Sequence, residues 1–321
     1  MRGAEWTGIL RRMSDTPRAR GDGIVLSAFV AMVLLGGANF VAVRFSNVEL
    51  PPFWGAGSRF VLSAVVLAVI GLAIRAPFPR GRTLVGASLY GLFGFTGFYA
   101  LAYVGLQEAS AGSGAVLLSL APLTTFLLAV VQGQERFRWR ALAGALVALA
   151  GIVVMFGAPG GVPLGSLLSF VGAAVAVGEA GVIAKWFPSD AHPVTMNAVA
   201  MGVGSLLLLA LSLVTGESWV VPVRAATWTA LLYLILLGSV GLFVLYLLIL
   251  KSWSASRTSY AFVLFPVVAS LLGLWLEGDP ITVALALGGA VVLVGVYVGA
   301  LRGAVPVREP GPSRVARQEV G

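Results

Sequence analysis

The sequence predicts an all-α integral membrane protein with ten transmembrane helices, arranged as two inverted five-helix repeats. Three observations predict it. Apolar residues make up 59% of the chain and charged residues 11%, with a mean hydropathy of +0.97. Soluble domains carry roughly 25% charged residues, so this chain has too few to cover a water-facing surface. Ten apolar runs are each long enough to cross about 30 Å of hydrocarbon. Seven small or special residues recur at one fixed spacing along the chain.

The elements follow in order. The first 23 residues are polar and arginine-rich, and read as a cytoplasmic tail. The run 24–43 that follows is longer than the apolar core of a secretory signal, about 7–15 residues, and is expected to be retained as the first span. Further spans are expected at 53–74, 84–106, 109–131, 141–158, 162–184, 193–215, 226–250, 257–276 and 280–301. None of these runs alternates apolar and polar residues as a membrane barrel strand would, so lipid leaves the helix as the viable form. Residues 24–158 and 162–301 are the two expected five-helix units. Residues 302–321 are rich in Pro, Gly and Arg and read as a disordered cytoplasmic tail.

Charge sets the direction. The net charge is +8, and 18 of the 21 basic residues fall in the tails and in alternate loops on one side. Arg44 and Arg224 fall on the other side, and Arg59 falls inside a span. That bias places both termini in the cytoplasm of a multi-pass plasma-membrane protein. It is a topological pattern rather than a nucleic-acid face, and no nucleic-acid partner is expected. The absence of cysteine excludes disulfides and thiolate chemistry, and the lone histidine, His192, argues against a histidine metal site. No cofactor is expected.

The repeat lies at a spacing of 144. Gly94 and Gly238, Gly97 and Gly241, Ser110 and Ser254, Ala111 and Ala255, Pro122 and Pro266, Gly144 and Gly288, and Gly151 and Gly295 form matched pairs. Five spans is an odd number, so the second copy enters the membrane from the opposite side, as inverted-repeat transporters do. Pro122 and Pro266 fall mid-span. Each removes an N–H and frees the carbonyl four residues back, at Leu118 and Phe262. Freed carbonyls are tolerated where they face protein or a watery cavity, which marks both prolines as candidate gating kinks.

These stretches also carry a resemblance. "LLGGANFVAVRF", "GAGSRFVLSAVVL" and the run from "YALAYVGLQEASAGSG" through "APLTTFLLAVVQGQERF" resemble the EamA-type repeat of the drug/metabolite transporter superfamily, and "LLILKSWSASRTSYAFVLFPVVASLLGLWLEGDP" resembles its second copy. The resemblance implies ten helices, a central cavity between the halves, and movement of a small metabolite, amino acid or drug-like solute. It places spans one, three, four, six, eight and nine around that cavity.

Ionisable groups inside a span are costly, about 2.5–3.5 kcal/mol on insertion scales, and two stand out. Arg59 reads either as a side chain reaching the headgroups or as a cavity residue that holds an anion. Glu179 lies among Gly172, Ala173, Ala174, Ala176, Gly178, Ala180 and Gly181. It reads either as a proton-coupling or amine-binding carboxyl, or as half of a pair with another helix. Asn39, Tyr99, Tyr103, Tyr246 and Trp275 complete the candidate solute-binding set, with packing or interfacial roles as the alternative for each. Glu135 and Glu277 are expected to mark membrane edges. The expected partners are a small solute, the lipid bilayer and a coupling proton.

An intramembrane enzyme acting on a lipid intermediate, or a channel, are the alternative functions. Catalysis would need clustered acids or nucleophiles, and no span holds two acids. No P-loop motif occurs, so an ion or solute gradient is the expected driving force.

Overall fold

A computed structural model describes residues 3–109, 111–158, 161–188, 190–277 and 282–301. The expected C-terminal tail, Ser110 and the Glu277 side chain lie outside the described residues. Ten membrane-length helices follow one another: span 1 Gly23–Ser46, span 2 Pro52–Ala73, span 3 Gly81–Leu106, span 4 Ser113–Val131, span 5 Trp139–Phe156, span 6 Leu164–Lys185, span 7 Pro193–Val214, span 8 Ala225–Ser252, span 9 Ala255–Gly273 and span 10 Val283–Leu301. Span 1 is the membrane-length part of a helix that starts at Gly3, so the arginine-rich approach is drawn into the same helix.

The ends follow local chemistry. Spans 2 and 7 open on Pro52 and Pro193, where the missing N–H is not needed and the fixed φ suits a first turn. His192 caps span 7, its Nδ1 accepting from the Val194 N–H at 3.4 Å. Spans 2 and 8 exchange caps through the loops before them. Glu217, in the loop ahead of span 8, accepts from the Phe53 and Trp54 N–H groups at 3.1 and 2.7 Å. Glu49, in the loop ahead of span 2, accepts from the Val223 and Arg224 N–H groups at 3.1 and 3.2 Å, and from the Thr227 hydroxyl. Trp54 stacks on Trp219, with ring centroids 4.6 Å apart, and closes this clasp.

Packing partners come in couples related by exchange of the two halves. Span 2 lies along span 7, and span 5 along span 10. Span 1 packs on span 9 as span 6 packs on span 4, and span 3 meets spans 6 and 7 as span 8 meets spans 1 and 2. The matched glycines Gly144, Gly151, Gly288 and Gly295 form the seam between spans 5 and 10. A Cβ on Gly151 would sit 2.6 Å from the Val292 nitrogen, and one on Gly295 would sit 2.4 Å from the Ala148 nitrogen. Backbones this close require small residues.

The other matched glycines mark a second shared device. Span 3 carries a π-helical turn at Leu92–Gly97, and span 8 carries one at Leu236–Gly241. The two turns coincide under the 144-residue shift. Gly94 and Gly97 lie in one, Gly238 and Gly241 in the other. Single π turns insert one extra residue into a helix and are frequent at functional sites.

The prolines do not act alike. Span 4 breaks at Ser119 and Leu120, and a new helical stretch starts at Ala121 with Pro122 in its first turn. Span 9 breaks earlier in its course, at Tyr260, and Pro266 sits inside the stretch Ala261–Glu277. The breaks in spans 4 and 9 therefore lie at positions that do not coincide under the 144-residue shift. At the break in span 9 the Tyr260 hydroxyl donates to the Ala141 carbonyl of span 5 at 2.8 Å.

Candidate functional site

One cavity of about 260 Å³ lies between the halves. On span 3, the residues Tyr90, Gly94, Phe98, Ala102 and Leu106 recur every four positions and face it together. Span 1 contributes Met32, Gly36, Asn39, Phe40 and Val43, and span 2 contributes Ala56 and Arg59. Spans 4, 6, 8 and 9 contribute Leu118, Val177 and Ala180, Phe243 and Tyr246, and Phe262 and Phe265. Both halves therefore build the wall. Leu118 and Phe262, each four residues before one of the prolines, both line it. Pro122 and Pro266 themselves do not.

The cavity is open toward one end of the bundle. At the end opposite the termini it reaches Ser46, Asn47, Pro52, Phe53 and Leu106, at the very ends of spans 1, 2 and 3. At the terminus end it stops at Tyr90, Ala180, Tyr246 and Ala261, well inside their spans. Below that floor the helices are tied together. Lys185 of span 6 donates to the Trp253 carbonyl at 2.9 Å and to the Leu250 carbonyl, a cation at the C-terminus of span 8. Glu135, in the loop after span 4, accepts from the Ser256 N–H at 3.1 Å and its hydroxyl at 2.6 Å, and from Arg138 at 2.9 Å. That carboxylate thus holds the first turn of span 9. Trp253 packs on Phe29 of span 1, and Arg257 stacks on Trp253 at 3.6 Å.

The wall is aromatic and almost without charge. Tyr103 meets Phe53 edge-on at 4.7 Å, and Phe98 faces Phe262 across the space at 6.1 Å. Arg59 is 4% exposed, with its guanidinium over the Phe60 ring at 4.6 Å and the Tyr99 ring at 5.1 Å. Asn39 donates its amide N–H to the Gly238 carbonyl at 2.9 Å, inside the π turn of span 8. Arg59 Nε, Asn39 Oδ1 and Tyr90 Oη are buried with no hydrogen-bond partner. Each such atom costs about 1–3 kcal/mol, and all three belong to the wall of one cavity.

Of the residues singled out from sequence, Asn39, Arg59, Tyr99, Tyr103 and Tyr246 come together here. Glu179 does not line the cavity. Its carboxylate accepts from the Gln132 amide of span 4 at 2.7 Å, while its neighbour Ala180 takes the wall position. Trp275 is 80% exposed near the opposite end of span 9 and faces away from the cavity, because its helix turns that side outward. Tyr90, Phe98 and Phe265 were not singled out, and Phe262 was named only for its carbonyl. The four-residue stride back from Leu106 through Phe98 and Gly94 reaches Tyr90, and was present in the sequence. Phe262 and Phe265 follow directly on the break at Tyr260, which has no sequence signal of its own.

The EamA-like transporter family model matches the chain twice, over residues 23–157 and 164–300. The uncharacterized transporter YyaM of Bacillus subtilis is 26% identical over 283 residues, covering 83% of this chain and 92% of that protein. The inner membrane transporter YedA of Escherichia coli is 29% identical over 272 residues, covering 80% and 84%. A probable terminal-alkyne amino-acid exporter of Streptantibioticus cattleyicolor is 28% identical over 275 residues, covering 84% and 91%. A solved crystal structure superimposes with a TM-score of 0.72 over 87% of this chain and 97% of its own, at 21% identity, which bears on the fold alone.

Proposed function

The chain belongs to the EamA-like transporter family, and from that premise we propose that it is a secondary transporter that moves a small solute across the plasma membrane by alternating access. The observation that carries this reading is the shape of the cavity. Both halves line it, one end is open, and the other is closed by the Glu135–Ser256 hydrogen bonds, which join the two halves, together with the Lys185–Trp253 tie inside the second half. An inverted repeat permits the converse state, with the two ends exchanging roles. The solute is a small metabolite, amino acid or drug-like molecule with a largely apolar body, which suits the aromatic wall. Export is the direction favoured by the relative named as an exporter.

Orientation follows from charge. The terminus end carries 18 of 21 basic residues and is the cytoplasmic end. The cavity described above then faces outward. The two five-helix units are residues 24–158 and 162–301.

Glu179 is the coupling group in this reading. It lies level with the cavity floor, next to Ala180 on a helix that lines the cavity, and its partner Gln132 is neutral. Exchange of the closed end would open it to the cytoplasmic side. The test is a metabolite uptake and efflux screen in proteoliposomes, with and without a proton gradient, on wild type and Glu179→Gln. The reading expects a solute that wild type concentrates against its gradient and that the variant only equilibrates. Wild-type accumulation and pH dependence in the variant would remove the coupling role. Absence of any solute movement would remove the transporter reading.

A further inference from the structure

We propose that Arg59 makes the central cavity selective for a small organic monocarboxylate, so that the solute's anionic group becomes the charged partner the guanidinium lacks. This rests on the reading of the cavity as the solute site, and adds the solute's charge.

Arg59 is the single charged side chain among the residues that line the cavity. Among the described residues no carboxylate pairs with it. It touches Phe60 and Tyr99, through both ring faces and a hydrogen bond to the Tyr99 side chain. Stacking on a ring engages the face of a guanidinium rather than its in-plane N–H groups. Nε is one of these and has no acceptor. A planar fork of donors, already oriented by aromatic stacking, matches a carboxylate through two parallel bonds. The surroundings strengthen that match. Apolar walls on several sides lower the local dielectric, so an ion pair formed there is worth more than one in water.

The rest of the wall limits the solute to one charge. Phe98, Tyr103, Phe262 and Phe265 offer contact to an aromatic or branched apolar body. The remaining polar groups are neutral. Asn39 Oδ1 and Tyr90 Oη add one hydrogen-bond acceptor and one hydroxyl without a partner. A dianion would leave its second charge without a cation, and a simple amine would place like charge against Arg59.

The test uses three probes of one size and shape that differ in charge: 3-phenylpropionate, 3-phenylpropanamide and 3-phenylpropylamine. Thermal unfolding of the purified full chain in detergent reads binding as a rise in Tm. The anion should bind at least about tenfold more tightly than the amide or amine, the scale of a charge-assisted bond. Arg59→Gln should reduce the anion to the level of the amide. Arg59→Lys should weaken it while keeping the order of the three, because a point charge attracts but does not fork. Should Arg59→Gln fail to fold, the lysine variant and the wild-type series decide. Ala102→Trp, which fills the cavity, should abolish the shift. Equal binding of the amide or amine, or no shift from any probe, would overturn the proposal. Failure here with solute movement in proteoliposomes leaves the transporter reading standing. Anion binding that depends on Arg59, without any movement of solute, removes that reading and leaves the site.

Discussion

Asn39 of span 1 is docked on Gly238 of span 8: its side-chain N–H donates to the Gly238 carbonyl at 2.9 Å, and its Oδ1 occupies the space where a Gly238 side chain would start. The matched glycine of the other half, Gly94, meets Ala180 instead, with 3.1 Å between Ala180 Cβ and a Cβ built on Gly94. One π turn therefore receives a polar side chain and the other a methyl group. The twofold architecture is kept while the cavity it encloses is chemically one-sided.

Gly238→Ala should expel the Asn39 amide, since the added carbon would sit 1.9 Å from Oδ1. The expected loss is about 1–3 kcal/mol, that of a broken buried hydrogen bond, read as a fall in Tm in detergent. In an Asn39→Ala background the same change should cost much less, because neighbouring sites are not additive. Gly94→Ala should be milder than Gly238→Ala. Additive losses would separate the two residues.

Gly151→Ala should push span 10 away from span 5. The new methyl would meet backbone, the Val292 nitrogen at 2.6 Å and the Gly288 carbonyl at 2.7 Å, and backbone has no rotamer to give. A loss of roughly 1–3 kcal/mol is expected, the range for overpacking. Gly202→Ala, with nothing within 4 Å of its new carbon, is the control and should be neutral or slightly stabilising. Equal effects at both positions would contradict the seam.

The glycine spacing shows what the sequence made legible. Seven pairs at 144 residues identified the repeat, because two copies of one packing need small residues at the same places. The same pairs did not reveal that they serve two ends. Gly144 and Gly288 with Gly151 and Gly295 bring helices together, while Gly94 and Gly238 sit in π turns. A π turn has no composition of its own, so it emerges only in the fold. Arg59 was legible because a charge in lipid is expensive wherever it points. Glu179 was legible for the same reason, but its aim was not. Whether position 179 or 180 faces the cavity depends on how span 6 is rotated against spans 3 and 4, and its almost uniformly small side chains leave that rotation unspecified.

Pro266→Ala should slow solute turnover while leaving Tm equal or higher. Alanine supplies the N–H that the Phe262 carbonyl lacks, and stiffens span 9 beside the cavity. Pro122→Ala should have the smaller effect, because span 4 already breaks at Ser119 and Leu120, and a first-turn proline gives up no helix bond. Turnover is compared in proteoliposomes with any solute found by the screen. Unchanged turnover in both variants would deny the kinks a part in the cycle.

The Glu49 clasp should weaken in acid. The Thr227 hydroxyl, the Val223 and Arg224 N–H groups and the Arg224 charge favour its carboxylate, against an opposing effect of burial, and hold it below the usual carboxylate range. A depressed folded value contributes stability that is present above the unfolded value and is lost as pH falls through the folded one. Wild type should therefore lose more Tm than Glu49→Gln between neutral pH and the acid side of the carboxylate range. Parallel pH profiles for the two proteins would contradict this.

The central claim is that one cavity is exposed alternately at the two ends, and cysteine accessibility tests it without knowledge of the solute. The chain has no native cysteine. Ala102→Cys lies in the open cavity, and Ala255→Cys, 1% exposed, lies at the sealed end beside the Glu135–Ser256 contact. An impermeant maleimide applied to intact cells should label position 102 and spare position 255. Breaking the latch with Glu135→Ala and Ser256→Ala should shift the population to the converse state. Labelling at 102 from outside should then fall as labelling at 255 from the cytoplasmic side rises. Opposite and coupled changes are the predicted result. Simultaneous labelling of 102 from outside and 255 from inside, or a change at 255 with none at 102, would contradict alternating access.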